Sequence, residues 1–155
     1  MPVFAPCSNW AVCYICSTIY VMETINIDKD IRVFYVTAAS FPAGIADAHK
    51  RLHSLVPFSP ARRYFGISRP ENGAIVYRAA AEEMAAGEAA QYGCETLVLK
   101  KGSYIATTIE DYTTDNQSIS KAFKELLAYP GIDPAGYCVE WYLTEKKVVC
   151  AVRLA

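Results

Sequence analysis

The sequence predicts an α+β fold in which two duplicated βαββ units form one antiparallel sheet, with two helices on one face and a cleft between the halves. Two observations favour this fold. Stretches of alternating apolar residues surround two amphipathic helical stretches, and the order strand, helix, strand, strand occurs twice. The second copy follows the first at an offset of about 75 residues, so that Ala48 corresponds to Ala122 or Phe123. Clefts between such halves are frequent ligand sites.

The elements of the first unit follow from its periodicity. Residues 25–37 alternate β-branched and aromatic side chains, as a strand does. Apolar residues then recur at helical spacing from about 43 to 55, and prolines end that helix. Two further strands, at 63–68 and 74–80, flank a turn in which Asn72-Gly73 favours the positive φ of a tight hairpin.

The second unit repeats this order. A connection rich in Ala and Glu leads into a strand pattern at 96–108, with a break at Gly102. A polar cap begins a helix that runs from 118 to about 129 and ends before a Pro-Gly pair. Strands at 136–143 and 148–154 complete the unit and the predicted sheet.

Size and charge limit the classes of function. With 155 residues, of which 53% are hydrophobic, the chain is long enough for one domain with a sizeable core. Its basic and acidic residues nearly balance, at a formal charge of -1, whereas nucleic-acid-binding domains usually carry a basic stripe. We therefore expect no direct nucleic-acid binding, and we expect no helix-turn-helix domain on either side of the duplicated units.

Residues 1–21 are predicted to be an N-terminal extension of a domain that spans 22–155. The extension is apolar, but no basic residue precedes it and polar residues interrupt it, so it resembles neither a secretory signal nor a membrane span. An added strand and an irregular extension are alternative interpretations. Its apolar side chains could also cover a partner subunit, which makes a homodimer a possible arrangement.

The six cysteines do not indicate a metal site. Cys13 and Cys16 form a C-x-x-C pair, but no second pair accompanies it, and both histidines lie in another segment. Cys138 and Cys150 fall within apolar strand patterns, which is typical of small buried side chains. We expect no metal, no cofactor, and reduced thiols in a cytoplasmic protein.

One carboxylate is unusual for its position. Glu140 lies in an apolar run beside Val139, Trp141 and Tyr142, and no Lys or Arg is close to it in sequence. Because a desolvated carboxylate is costly without a partner, either Glu140 faces solvent from an exposed strand, or its partner is not part of the chain. Strand alternation places Tyr142 on the same face as Glu140 and Trp141 on the opposite face.

The run 132–143, Ile-Asp-Pro-Ala-Gly-Tyr-Cys-Val-Glu-Trp-Tyr-Leu, resembles the GyrI-like small-molecule-binding domain. This domain is also the effector-binding half of AraC-type and MerR-type multidrug-sensing transcription regulators. With further, weaker matches the resemblance covers about residues 25–154. These matches are Gly66-Ile67-Ser68, Tyr77-Arg78-Ala79-Ala80, Lys101-Gly102-Ser103-Tyr104 and the helix end at 122–127.

The resemblance implies a pocket between the halves, which in several relatives has aromatic walls and a buried glutamate that attracts cationic, aromatic compounds. Glu140 occupies the matching position, and Phe65 falls opposite it at the predicted offset. The remaining ligand-binding candidates are aromatic residues: Tyr142, Tyr104, Tyr112, Tyr77 and Trp141. Each of them, taken alone, is more often an ordinary core residue. His49 is interpreted as a hydrogen-bonded core histidine rather than a catalytic one.

Three functions stay open from the sequence. The first is a binding protein for amphipathic, cationic aromatic small molecules. The second, also implied by the resemblance, is a hydrolase of small strained or genotoxic molecules that uses Glu140 as general base and Tyr142 as its partner. The third is a protein-interaction module, such as a topoisomerase inhibitor. No Ser-His-Asp order and no phosphate-binding loop indicates acyl-transfer or nucleotide chemistry.

Overall fold

A computed structural model of the chain describes residues 20–155. This part of the chain contains eight strands and three α-helices. In chain order they are β1 (Glu23–Ile27), β2 (Ile31–Thr37), α1 (Ile45–Leu55), β3 (Tyr64–Glu71), β4 (Ala74–Glu82), α2 (Glu88–Gln91), β5 (Glu95–Leu99), β6 (Gly102–Ile109), α3 (Ser118–Leu127), β7 (Cys138–Tyr142) and β8 (Val148–Arg153). The predicted extension lies mostly outside the described residues, as do Cys13 and Cys16.

All eight strands belong to one antiparallel sheet in the order β1-β6-β8-β7-β3-β4-β2-β5. The two halves, β1-β6-β8-β7 and β3-β4-β2-β5, meet where β7 pairs with β3. Helix α1 packs on β2 and β4, and α3 packs on the corresponding β6 and β8. The predicted α+β fold, with two helices on one face of an antiparallel sheet, is therefore confirmed.

The repeated unit differs from the predicted one because its first strand is two strands. The stretch predicted as a single strand at 25–37 is interrupted by the polar turn between β1 and β2, where Asn26 Nδ2 donates to Asp28 Oδ1 at 2.6 Å. A second short turn separates β5 from β6, and β6 begins at Gly102, which has a φ of 132°. β1 then pairs with β6 of the second half, and β5 pairs with β2 of the first. Each half thus receives its edge strand from the segment that precedes the other half.

The two halves are related by 74 residues rather than 75. Ala48 and Leu52 of α1 correspond to Ala122 and Leu126 of α3, and all four side chains are fully buried. At the junction of the halves, Gly66 of β3 is the register partner of Glu140 in β7. The predicted pairing of Glu140 with Phe65 was wrong by one residue.

Apolar side chains cover both faces of the sheet. On the helix face, one cluster surrounds Phe34 and Leu52 under α1, and another surrounds Ile105 and Leu126 under α3. On the opposite face, buried side chains from both halves form a single cluster around Ile67. Glu140 lies on the helix face, at the boundary between the two helix-covered clusters.

Two features at the periphery bear on the predictions from sequence. Tyr20 Oη donates to the carbonyl of Ser118 at 3.1 Å, and Thr107 Oγ1 donates to the carbonyl of Val21 at 2.7 Å. The chain just before β1 therefore contacts the second half. Within residues 20–155, no helix is long and apolar enough to cross a membrane.

Candidate functional site

Glu140 is a buried carboxylate at the centre of the sheet. Its residue is 7% exposed, and it lies between the backbones of Gly66 in β3 and Cys150 in β8. None of the ion pairs formed among residues 20–155 includes it. Of the two alternatives that the sequence left open, the structure excludes a solvent-facing Glu140.

Two tyrosine hydroxyls hold the Glu140 carboxylate in place of a cation. Tyr77 of β4 donates to Glu140 Oε2 at 2.8 Å, and Tyr142, two residues along β7, donates to the same oxygen. Burial raises the pKa of Glu140, and the two hydrogen bonds oppose that shift. Burial and the nearby Glu140 carboxylate also raise the pKa of each tyrosine, so both hydroxyls stay protonated donors.

Gly66 makes the contact between Tyr77 and Glu140 possible. A methyl group at its Cβ position would overlap the Tyr77 hydroxyl and Glu140 Oε2, and would lie 2.8 Å from Tyr77 Cζ. The φ of Gly66 is not positive, so the requirement for glycine here is one of space. Because Gly66 has no side chain, the Tyr77 hydroxyl from β4 can cross over β3 and contact the Glu140 carboxylate on β7.

His49 of α1 extends this network towards the helices. Its Nε2 lies 2.8 Å from Tyr77 Oη, and its ring stands edge-on to Tyr142 with centroids 5.4 Å apart. Burial, with a smaller effect from His53, lowers the pKa of His49 to about 4, so the imidazole is neutral near pH 7. The hydrogen bond predicted for His49 from sequence is present, and its partner is the tyrosine that holds Glu140.

A cleft of about 940 Å³ opens on the helix face beside this network. His49 and Tyr142 are members of both the network and the cleft wall. Aromatic rings line much of the remaining wall; Phe58, 72% exposed, stacks on Tyr64 at 5.6 Å. The lining residues are Ile45, Ala46, His49, His53, Phe58, Ser59, Pro60, Arg62, Tyr64, Tyr112, Tyr142, Leu143, Thr144 and Glu145.

The structure brings together four of the seven residues predicted for the site. Glu140, Tyr77 and Tyr142 share one hydrogen-bonded cluster. Tyr112, in the short 3-10 turn before α3, packs edge-on against Tyr142 with centroids 5.6 Å apart. This turn therefore lies beside the cleft, and Tyr112 is one of the lining residues.

Phe65, Tyr104 and Trp141 lie elsewhere, and the expectation that they line this cleft was wrong. All three belong to the apolar cluster on the face opposite the helices. Phe65 and Trp141 are register partners one residue away from Gly66 and Glu140, and successive strand residues point to opposite faces. Tyr104 donates its hydroxyl to the Lys100 carbonyl at 2.6 Å and lines a separate cavity of about 250 Å³.

The sequence reasoning missed three residues of the site, Gly66, Phe58 and Tyr64, and it gave His49 no place beside the cleft. Gly66 carried a usable signal, because a glycine inside a strand often marks a close approach of another group. His49 on α1, Phe58 in the loop after it and Tyr64 at the start of β3 reach the cleft through tertiary packing. No pattern in the chain links these positions to Glu140.

Comparison with known proteins shows the fold and leaves the function open. No protein-family model and no curated protein matches this chain. Solved structures do match it, at low sequence identity.

Three of these structures share the fold over most of both chains. SAV2435 bound to tetraphenylphosphonium is 10% identical, with a TM-score of 0.62, over 88% of this chain and 94% of its own. A hydrolase from Listeria innocua is 6% identical, with a TM-score of 0.54, over 88% and 92%. A proposed bacterial transcription regulation protein from Staphylococcus aureus MU50 is 14% identical, with a TM-score of 0.53, over 87% and 98%.

Replacing Gly66 by Ala tests the packing at the centre of the site. We expect Gly66→Ala to lower the free energy of unfolding by about 1–3 kcal/mol, because the methyl group displaces the Tyr77 hydroxyl from Glu140. The measurement is urea denaturation. Ser68→Ala, two residues along the same strand face, is the control and should change stability by less than about 0.5 kcal/mol. In a Tyr77→Phe background the cost of Gly66→Ala should shrink; an unchanged cost would contradict the proposed overlap.

The raised pKa of Glu140 predicts a pH-dependent effect of Glu140→Gln on stability. The folded wild type binds this proton more tightly than the unfolded chain, so its contribution to stability is complete below about pH 4.3 and is lost as pH rises through the folded pKa. Glu140→Gln lacks this loss. The free energy of unfolding of Glu140→Gln should therefore increase relative to that of the wild type as pH rises. Urea denaturation from about pH 4 to 8 measures both.

The control for this titration is Glu145→Gln, which removes an exposed carboxylate from the cleft rim. A pH-dependent difference in stability that Glu145→Gln shares with Glu140→Gln would come from the loss of an exposed charge. A stability difference for Glu140→Gln that does not vary with pH would contradict a carboxyl whose proton is held by burial.

Proposed function

We propose that this protein binds amphipathic, aromatic cations in the cleft on its helix face. The observation that carries the proposal is the buried Glu140 carboxylate, held only by tyrosine hydroxyls beside an aromatic-lined cleft. The partner that such a carboxylate requires would then be a positive charge on the ligand. The ligand is proposed to be a small molecule.

Charge is one support for the proposal. Hydrogen bonds from neutral hydroxyls spread the Glu140 charge but do not cancel it, and burial keeps the pKa of this carboxyl raised. A cation in the cleft favours the ionised form, so binding and loss of the Glu140 proton are coupled. Arg62 also lines the cleft, but its guanidinium pairs with Glu88 at 2.8 Å and does not compete for Glu140.

The dimensions and chemistry of the wall are a second support. A cleft of about 940 Å³ is of the size that holds drug-sized molecules. Tyr142, Tyr112 and the stacked pair of Phe58 and Tyr64 offer ring faces and edges to a flat or propeller-shaped aromatic ligand. Cation–π attraction to such rings adds about 0.5–2 kcal/mol.

The shared fold of SAV2435, solved with tetraphenylphosphonium, is a third support. That ligand is a permanent cation with four phenyl rings, which is the chemistry that this cleft suggests. The resemblance of the Glu140 segment to GyrI-like effector-binding domains points to the same ligand class.

Binding of tetraphenylphosphonium tests the proposal. We expect the wild type to bind it, and Glu140→Gln to weaken binding by at least about thirtyfold, the equivalent of roughly 2 kcal/mol. Wild-type affinity should rise with pH as Glu140 ionises, because the ligand itself does not titrate, and Glu140→Gln should remove that dependence. Isothermal titration calorimetry measures both.

Glu145→Gln is the matched control for this experiment. It also removes one carboxylate from the cleft, but an exposed and therefore screened one, so its effect should stay within a few-fold. Equal binding by the wild type and Glu140→Gln would exclude Glu140 as the recognition group.

The hydrogen bond from Tyr142 to Glu140 also supports a second candidate function, hydrolysis of small strained molecules. A carboxyl with a raised pKa is a suitable general base towards water, and a neutral tyrosine hydroxyl can protonate or polarise the group that leaves. The shared fold of a hydrolase from Listeria innocua is a further support for this candidate.

Turnover of an activated cyclopropane compound distinguishes the two candidates. A hydrolase should consume it with a rate that falls at least about a hundredfold in both Glu140→Gln and Tyr142→Phe, as loss of acid–base groups requires. Mass spectrometry would detect the addition of one water. A binding protein should leave the compound intact, while Glu140→Gln still weakens the binding of tetraphenylphosphonium.

A further inference from the structure

The hydroxyl of Tyr77 lies between two polar groups. It is 2.8 Å from Glu140 Oε2 on one side and 2.8 Å from His49 Nε2 on the other. A tyrosine hydroxyl has one proton to donate and accepts with its oxygen lone pairs. The direction of one hydrogen bond therefore determines the direction of the other.

An ionised Glu140 determines which tautomer His49 adopts. The carboxylate can only accept, so Tyr77 must donate to it, and the Tyr77 oxygen then accepts from His49 Nε2–H. A neutral imidazole that carries its proton on Nε2 has none on Nδ1. With a cation bound and Glu140 ionised, His49 Nδ1 is thus a hydrogen-bond acceptor.

Nδ1 is the ring nitrogen of His49 that the contact with Tyr77 leaves free. His49 lines the cleft, and no hydrogen bond from residues 20–155 reaches its Nδ1. Nδ1 is also absent from the fully buried polar atoms without a partner in this part of the chain. The rings packed against the imidazole are those of Tyr77 and Tyr142 from the sheet, and His53 lies one turn further along its own helix. Glu145, exposed at the rim, is the acidic side chain among the residues that line the same cleft.

We propose that His49, held as the Nε2–H tautomer by Tyr77, presents Nδ1 to the cleft and selects aromatic cations that carry an N–H group over fully substituted ones. Protonated amines, amidines and anilines belong to the favoured class. This inference rests on the proposed binding function and adds a specificity-determining residue to it. Glu140 supplies the charge recognition for both classes of cation, and His49 discriminates between them.

A matched pair of ligands tests the proposal. Protonated N,N-dimethyl-1-naphthylmethylamine and its N-methyl quaternary salt carry the same charge and ring, but only the first has an N–H. We expect the wild type to bind the protonated amine about tenfold more tightly, the value of one charge-assisted hydrogen bond. His49→Leu should remove this preference between the two ligands, whereas His49→Gln, which keeps an acceptor, should retain part of it.

The outcomes separate this inference from the function on which it rests. Equal affinities of the wild type for the two ligands, with Glu140→Gln weakening both, would overturn the role of His49 and leave cation binding intact. Absence of binding of either ligand to the wild type would overturn the proposed function and this inference with it.

A measurement on the unaltered protein avoids the risk that His49 variants fail to fold. The chain has two histidines, so nitrogen-15 NMR of the imidazoles, assigned with His53→Ala, reports the tautomer of His49 directly. With the quaternary salt bound near pH 7.5, we expect a protonated Nε2 and an unprotonated Nδ1. A proton on Nδ1 would refute the proposal.

Discussion

The structure is organised around a buried carboxylate that neutral groups hold. Three neighbouring strands meet at Glu140: β7 carries it, β3 leaves space beside it at Gly66, and β4 sends Tyr77 across that space. Removing a charge from water costs several kcal/mol, and two hydroxyl donors offset only part of that cost. Part of the cost of an ionised Glu140 therefore stays uncompensated within the protein, and under the proposed function a cation in the cleft would offset it.

Duplication provides the place for this site, and divergence between the copies provides its chemistry. Gly66 and Glu140 correspond to each other under the 74-residue relation and face each other where the halves join. One copy has no side chain at this position and the other has a carboxylate. A symmetric pair of glutamates would repel, and a symmetric pair of glycines would leave no charge. The difference between the halves places one carboxylate beside a glycine, and the Tyr77 hydroxyl occupies the space that the glycine leaves.

Strand periodicity made the fold and the location of Glu140 predictable. Alternation along β7 placed Glu140 and Tyr142 on one face, and the structure agrees. The error of one residue in the repeat offset moved Phe65 into the predicted site, since a shift of one position in a strand reverses the face. The stretch 25–37 had β-branched residues on both sides of its polar turn, so propensity alone did not separate β1 from β2. His49 and Phe58 depend on how α1 docks, which no local pattern encodes.

The exchange of edge strands makes the two halves unequal during synthesis. The sheet of the first half, β3-β4-β2-β5, is complete within one continuous stretch, Ile31–Leu99, and can form as soon as that stretch has left the ribosome. The second half is complete only when β1, which precedes the first half in the chain, pairs with β6, with Glu23 opposite Ala106. Until then β1 is an unpaired strand edge. A circular permutant that places β1 after β8 would give both halves a contiguous sheet of their own, still joined by the β3–β7 pairing and by the shared apolar cluster around Ile67.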